Sequence, residues 1–136
     1  MKRSILAFVA GLVLWIVALS VLNRILRVLI AGYAAAEPTM SFTLGMLVAR
    51  LSIGVLTSLA AGAVAGWIAP ASPRMPLLLG TVLLLAFIPV HLKLWSLFPF
   101  WYHVVFLATL IPLIVLGSRL PWLRMPAAGP AGSVRT

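Results

Sequence analysis

The sequence predicts an all-α membrane protein with four transmembrane helices in an antiparallel bundle. Three observations carry this. Four long apolar stretches, residues 5–22, 51–69, 77–98 and 104–117, fill most of a 136-residue chain, and about 20 mostly apolar helical residues span a bilayer core about 30 Å thick. Next, 64% of the residues are hydrophobic and 8% are charged. A soluble domain of this length has no interior large enough to hide that much apolar surface. Finally, most of the Pro and charged residues lie between or beside the stretches. One domain, residues 1–120, holds spans at about 4–30, 42–69, 77–98 and 101–118. Residues 121–136, which include Pro, Ala and Gly without a period, are expected to form a disordered cytoplasmic tail.

The first span starts near Ser4. Lys2-Arg3 and the small run Ala34-Ala35-Ala36 have the outline of a cleaved leader. The apolar run of about 18 residues is longer than the usual 7–15, and Arg24 and Arg27 intervene, so the helix is expected to be retained. At 100° per residue Asn23, Arg24, Arg27 and Ala31 share one arc. Two arrangements fit: a helix end lying in the interface, or one long tilted helix with snorkelling arginines.

Gly32 and Glu37-Pro38 punctuate the first connection, and Thr39 or Ser41 is placed to cap the second helix. Arg50 then falls inside the second span or at its interfacial edge. Pro70, Ser72, Pro73, Arg74 and Pro76 predict a loop that no helix crosses. Pro89 removes a backbone hydrogen bond from the third span and predicts a kink near residues 85–89. Trp95, Phe98, Pro99, Phe100, Trp101 and Tyr102 form an aromatic hairpin of the kind found at membrane interfaces. The fourth span contains Pro112 and ends at Gly117.

The net charge of +9 comes from ten scattered Lys and Arg residues at or near the ends of apolar segments. That pattern points to the bilayer and anionic lipid headgroups as partners rather than to nucleic acid. With both termini cytoplasmic, Lys2, Arg3, Arg74, Arg119, Arg124 and Arg135 lie inside, against Arg24, Arg27, Arg50 and Lys93 on the outer side. Six against four favours this orientation. Cysteine is absent, which removes disulfides, thiolate metal sites and cysteine nucleophiles.

The second span carries the clearest packing signal. Gly54, Ser58, Gly62 and Gly66 recur every four residues, beside a row of Thr57, Ala61, Ala65 and Ala69. Small residues let helix backbones approach closely in lipid. The partner is a helix of the same chain or of a second copy or another membrane protein. Thr43, Arg50 and Thr57 lie on one face of this helix. An ionisable residue within a span is a functional candidate or, at the interface, a snorkelling cation.

Glu37 is the only carboxylate, so paired-carboxylate catalysis and an intramembrane acidic proton relay are excluded. An ion pair with a neighbouring arginine is its expected role. His91 and His103 flank the hairpin at similar depth. Two imidazoles could hold haem or a metal, but no third ligand is evident, and hydrogen-bonded interface histidines are the expectation. Arg24, Arg27, Glu37, Arg50, His91, Lys93 and His103 together make a candidate polar cluster on the outer side. No nucleophile elbow, phosphate-binding glycine loop or zinc spacing is present. The chain is read as non-enzymatic and free of cofactor.

The run Phe87-Ile88-Pro89-Val90-His91, Trp95, Phe98-Pro99-Phe100-Trp101-Tyr102-His103, Pro112, Leu116-Gly117 and Arg119-Leu120 resembles a group of small four-span bacterial inner-membrane proteins of no known activity. The resemblance covers Met1 to Leu120. It implies bacterial origin and four helices, and it transfers no functional residue. Small multidrug transporters are similar in size, but their central first-helix glutamate has no counterpart here. Fluoride channels are also similar in size; neither their first-helix arginine motif nor their phenylalanine boxes occur. The resulting expectation is an accessory or interaction protein packing through the small-residue face of the second span. The alternative is a small oligomeric channel or permease for anions.

Overall fold

Proline is absent from the first 37 residues, and most of them form one helix, α1 (Lys2–Leu29), in a computed structural model that describes residues 2–120. The expected tail at 121–136 lies outside the described residues. Of the two arrangements open for the arginine-bearing end, α1 is the continuous helix. Its 28 residues measure about 42 Å, more than a hydrocarbon core, so it tilts or its last turns emerge.

Gly32 takes a left-handed φ of 79°, where a side chain would be strained. It turns the chain into a single helical turn, α2 (Tyr33–Ala36), that composition did not announce. Next comes α3 (Leu44–Ile68). Its cap is Thr43, whose hydroxyl accepts from the Met46 N–H at 3.4 Å. The expected caps, Thr39 and Ser41, hydrogen-bond to each other instead at 2.8 Å.

The loop after α3 is shorter than the prolines imply. Helix α4 (Arg74–Lys93) starts three residues earlier than 77, with Pro76 in its first turn. A missing N–H costs nothing there because no earlier carbonyl is available to receive it. At the other end α4 stops at Lys93, not at 98. The Leu97 and Phe98 N–H groups both turn back to the Leu94 carbonyl, and Pro99 then opens α5 (Phe100–Ser118). Pro89 and Pro112 sit within helices on the exposed surface.

Helices α1, α3, α4 and α5 are each long and apolar enough to cross a membrane. Their even number brings Lys2 and Ser118 to one end of the bundle. The opposite end carries Arg50 and the α4–α5 hairpin.

Helix α3 is central, with α5 along one side and α1 along the other. A Cβ added at Gly62 would land on the Ile114 carbonyl oxygen, and one at Gly117 on the Leu59 carbonyl oxygen. Gly66 meets the Ser118 carbonyl oxygen in the same way, whereas Gly54 faces the Phe106 ring, 3.3 Å from where a Cβ would stand. Backbone lies against backbone along this seam. For Gly54, Gly62 and Gly66 the helix that the sequence leaves open is α5 of the same chain.

Ser58 departs from the row. Its hydroxyl turns to α1 and accepts from the Trp15 indole N–H at 3.1 Å. The adjacent row also faces α1, where Gly11 lies against Ala61 and Ala65. Trp15, Leu79, Leu83, Phe106, Leu110 and Ile114 fill the middle of the bundle. Helices α1 and α4 meet more sparingly than α3 does with α5 or α1, or α4 with α5.

Candidate functional site

At the Arg50 end, polar side chains from α1, the first connection and α3 form one connected chain of bonds. Arg50 lies six residues into α3, about 9 Å along its axis. Its guanidinium sits over the Phe42 ring at 4.7 Å. One of its terminal nitrogens donates to the Tyr33 hydroxyl at 2.8 Å and to Asn23 Oδ1 at 3.3 Å. The Tyr33 hydroxyl in turn donates to Asn23 Oδ1 at 2.7 Å. Asn23 Nδ2 donates to Glu37 Oε1 at 3.0 Å, and Glu37 Oε2 pairs with Arg27.

The charges in this chain do not balance. Glu37 is the sole side-chain carboxylate of the protein, and Arg27 and Asn23 hold it. The hydrogen-bond partners of Arg50 are a phenol and an amide, both neutral. Its Nε is buried without a partner among the described residues. Tyr33 is fully buried, and burial pushes its phenol above the ordinary value, with the neighbouring Arg50 charge pulling the other way.

Beside Arg50 lies a cavity of about 240 Å³. Its walls are apolar and aromatic: Leu19, Ile53, Phe87, Leu94, Phe98 and Phe106 among others. Arg50, Asn23, Ser20, His91 and Tyr102 supply its polar groups. This matches the make-up of a ligand site, apolar walls with a few placed polar atoms.

His91 and His103 meet across the α4–α5 hairpin. Their Nδ1 atoms are 2.7 Å apart, and both rings are buried. Trp95 stacks on His103, nearly parallel, at 4.9 Å between centroids. His103 Nε2 is buried without a partner, whereas His91 lines the cavity. Among the described residues no group of three or more His, Cys, Asp or Glu stands together, so the histidine pair gains no third metal ligand.

The seven residues of the expected polar cluster therefore fall into separate sets. Arg27 and Glu37 form an ion pair, Arg50 joins them through Asn23, and His91 reaches the same cavity as Arg50 with His103 behind it. Arg24 and Lys93 are exposed and join none of these bonds. Arg24 lies along an apolar surface groove beside Val21 and Val28.

Two residues that organise the site lie outside the expected cluster: Asn23, read from the sequence only as part of the arginine-bearing arc, which bridges Arg50 to Glu37, and Tyr33, which closes over Arg50. A signal for Asn23 existed. An amide near the end of an apolar helix, four residues before an arginine, needs partners for its polar atoms. Tyr33 gives no such signal, because its position depends on the left-handed turn at Gly32.

No protein-family model, curated protein or solved structure matches this chain.

Proposed function

We propose that this integral membrane protein binds an oxyanion in the cavity beside Arg50, and that it acts by binding rather than by catalysis. The observation that carries the reading is the charge of Arg50. A cation held at the end of a membrane span by neutral groups, in a chain whose one carboxylate is engaged elsewhere, favours an anion as its missing partner. Carboxylate and phosphate are the groups whose geometry a guanidinium matches best.

The interaction reading drew on Gly54, Ser58, Gly62 and Gly66. That row is covered by α5 and α1, which leaves the cavity as the better-supported feature. The channel alternative needs a passage toward the other end of the bundle. Below the cavity, Trp15, Leu79, Leu83, Leu110 and Ile114 are packed together, which favours a bound ligand over a passing one. In the orientation that the basic residues favour, with both termini in the cytoplasm of a bacterial cell, the cavity faces the outer leaflet of the inner membrane.

The test uses purified protein in a neutral detergent at constant ionic strength. Inorganic phosphate, or a short carboxylate such as butyrate, raises the thermal midpoint of the wild type by mass action. Arg50→Gln, with Arg50→Lys as the charge-preserving control, loses the shift. Equal shifts in wild type and Arg50→Gln sink the reading.

A further inference from the structure

The cavity has a side door. Ser20 of α1 and Val90 of α4 both line it, yet both are exposed on the outside of the bundle. They sit on α1 and α4, which pack against each other less extensively than α3 packs against α5 or α1, or α4 against α5. The cavity therefore reaches the lipid-facing surface through the α1–α4 gap. Its volume of about 240 Å³ is below the roughly 300–1,000 Å³ of sites that enclose drug-sized ligands. That holds a head group and a few methylenes, but not a whole lipid.

Depth points the same way. The 25 residues of α3 measure about 38 Å against a core of about 30 Å. Arg50, about 9 Å from the start of the helix, thus lies just inside the boundary between headgroups and acyl chains. The guanidinium lines an aromatic pocket whose exposed wall residues, Ser20 and Val90, lie on the lipid-facing side.

We infer that the ligand is a membrane-dissolved amphiphile, an acyl chain with an oxyanion head, which enters sideways between α1 and α4. The head pairs with Arg50, whose orientation Tyr33 and Asn23 fix. The first methylenes lie against Phe87 and Phe106, and the rest of the chain leaves past Ser20 and Val90 into the bilayer. This deepens the oxyanion reading of the same cavity and rests on it. A fatty acid and an acidic phospholipid share this chemistry.

Native mass spectrometry of the full chain, released from phosphatidylcholine nanodiscs, separates these sources. One arm contains a minor fraction of phosphatidylglycerol, the other a minor fraction of oleate. The expected result is one acidic molecule per chain in one arm, enriched about tenfold over its share of the bilayer. Arg50→Gln abolishes the enrichment. Val90→Trp, and independently Ser20→Phe, abolish it too by filling the gap, while phosphate still stabilises both variants. Because both side chains are exposed, neither substitution disturbs the core, and the unchanged midpoint without ligand checks this. If neither arm shows enrichment while phosphate still stabilises the wild type, the sideways amphiphile is overturned and the oxyanion site stands. If phosphate also fails, the site itself is lost. Enrichment that survives Val90→Trp and Ser20→Phe overturns the side entry.

Discussion

His91 and His103 face each other Nδ1 to Nδ1 at 2.7 Å, a spacing that only one shared proton allows. One ring donates and the other accepts, so the two histidines hold different tautomers or one of them is charged. Truncating either ring leaves a nitrogen of the other buried and unpaired, which costs about 1–3 kcal/mol. The singles His91→Ala and His103→Ala should therefore not sum to the double variant. We expect a coupling of about 0.5–3 kcal/mol in a double-mutant cycle of unfolding in detergent. Strict additivity would show that the contact contributes nothing to stability.

The seam between α3 and α5 makes a second prediction with an internal control. A methyl at Gly62 meets the Ile114 backbone, which can yield only if the helices separate, whereas a methyl at Gly45 meets nothing within 4 Å. Gly45→Ala should be neutral or stabilising, by up to about 1 kcal/mol from helix propensity. Gly62→Ala should lower the thermal midpoint despite the same propensity gain. Equal midpoints for the two variants would mean that the helices are not in backbone contact there.

These glycines also mark what was legible in the sequence. The spans follow from apolar length and the close-packed face of α3 from a four-residue spacing, because both are periodic properties of a single helix. Helix ends proved harder. Pro76 reads as a breaker but is harmless in a first turn, and Leu94, between Lys93 and Trp95, is no Gly or Pro that would mark the stop of α4 at Lys93. The site was least legible of all. Arg50 stood out as a charge within a span, yet its partners lie 27 and 17 residues away in sequence, and the Gly32 turn brings Tyr33 over it. No local pattern encodes that fold-back.

The bridge through Asn23 predicts an inverted ranking of polar substitutions. Asn23 donates to Glu37 and accepts from both Tyr33 and Arg50. Asn23→Ala leaves two donors short of an acceptor and should cost about 1–3 kcal/mol. Glu37→Gln keeps an acceptor for Asn23 and gives up the charge pair with Arg27, whose side chain is half-exposed. Such pairs contribute about 0–1 kcal/mol and weaken in salt. The loss of an uncharged amide should thus exceed the loss of the only carboxylate. Unfolding midpoints at low and high salt check the order; a larger cost for Glu37→Gln would place the weight on the ion pair.

Tyr33 sets the alkaline limit of this end of the bundle. Burial raises its phenol above the ordinary value of 10.0, and Arg50 offsets part of the rise. A group whose folded pKa exceeds its unfolded one holds its proton more tightly in the native state. Its contribution to stability is complete below pH 10.0 and disappears as pH rises through the raised value. The phenolate absorbance of the wild type, after subtraction of a Tyr33→Phe titration that reports Tyr102 alone, should therefore have its midpoint above 10.0. The thermal midpoint of the wild type should fall over that same range, and that of Tyr33→Phe should fall less. A Tyr33 midpoint at or below 10.0 would mean that the phenol is open to water and that the connection does not close over Arg50.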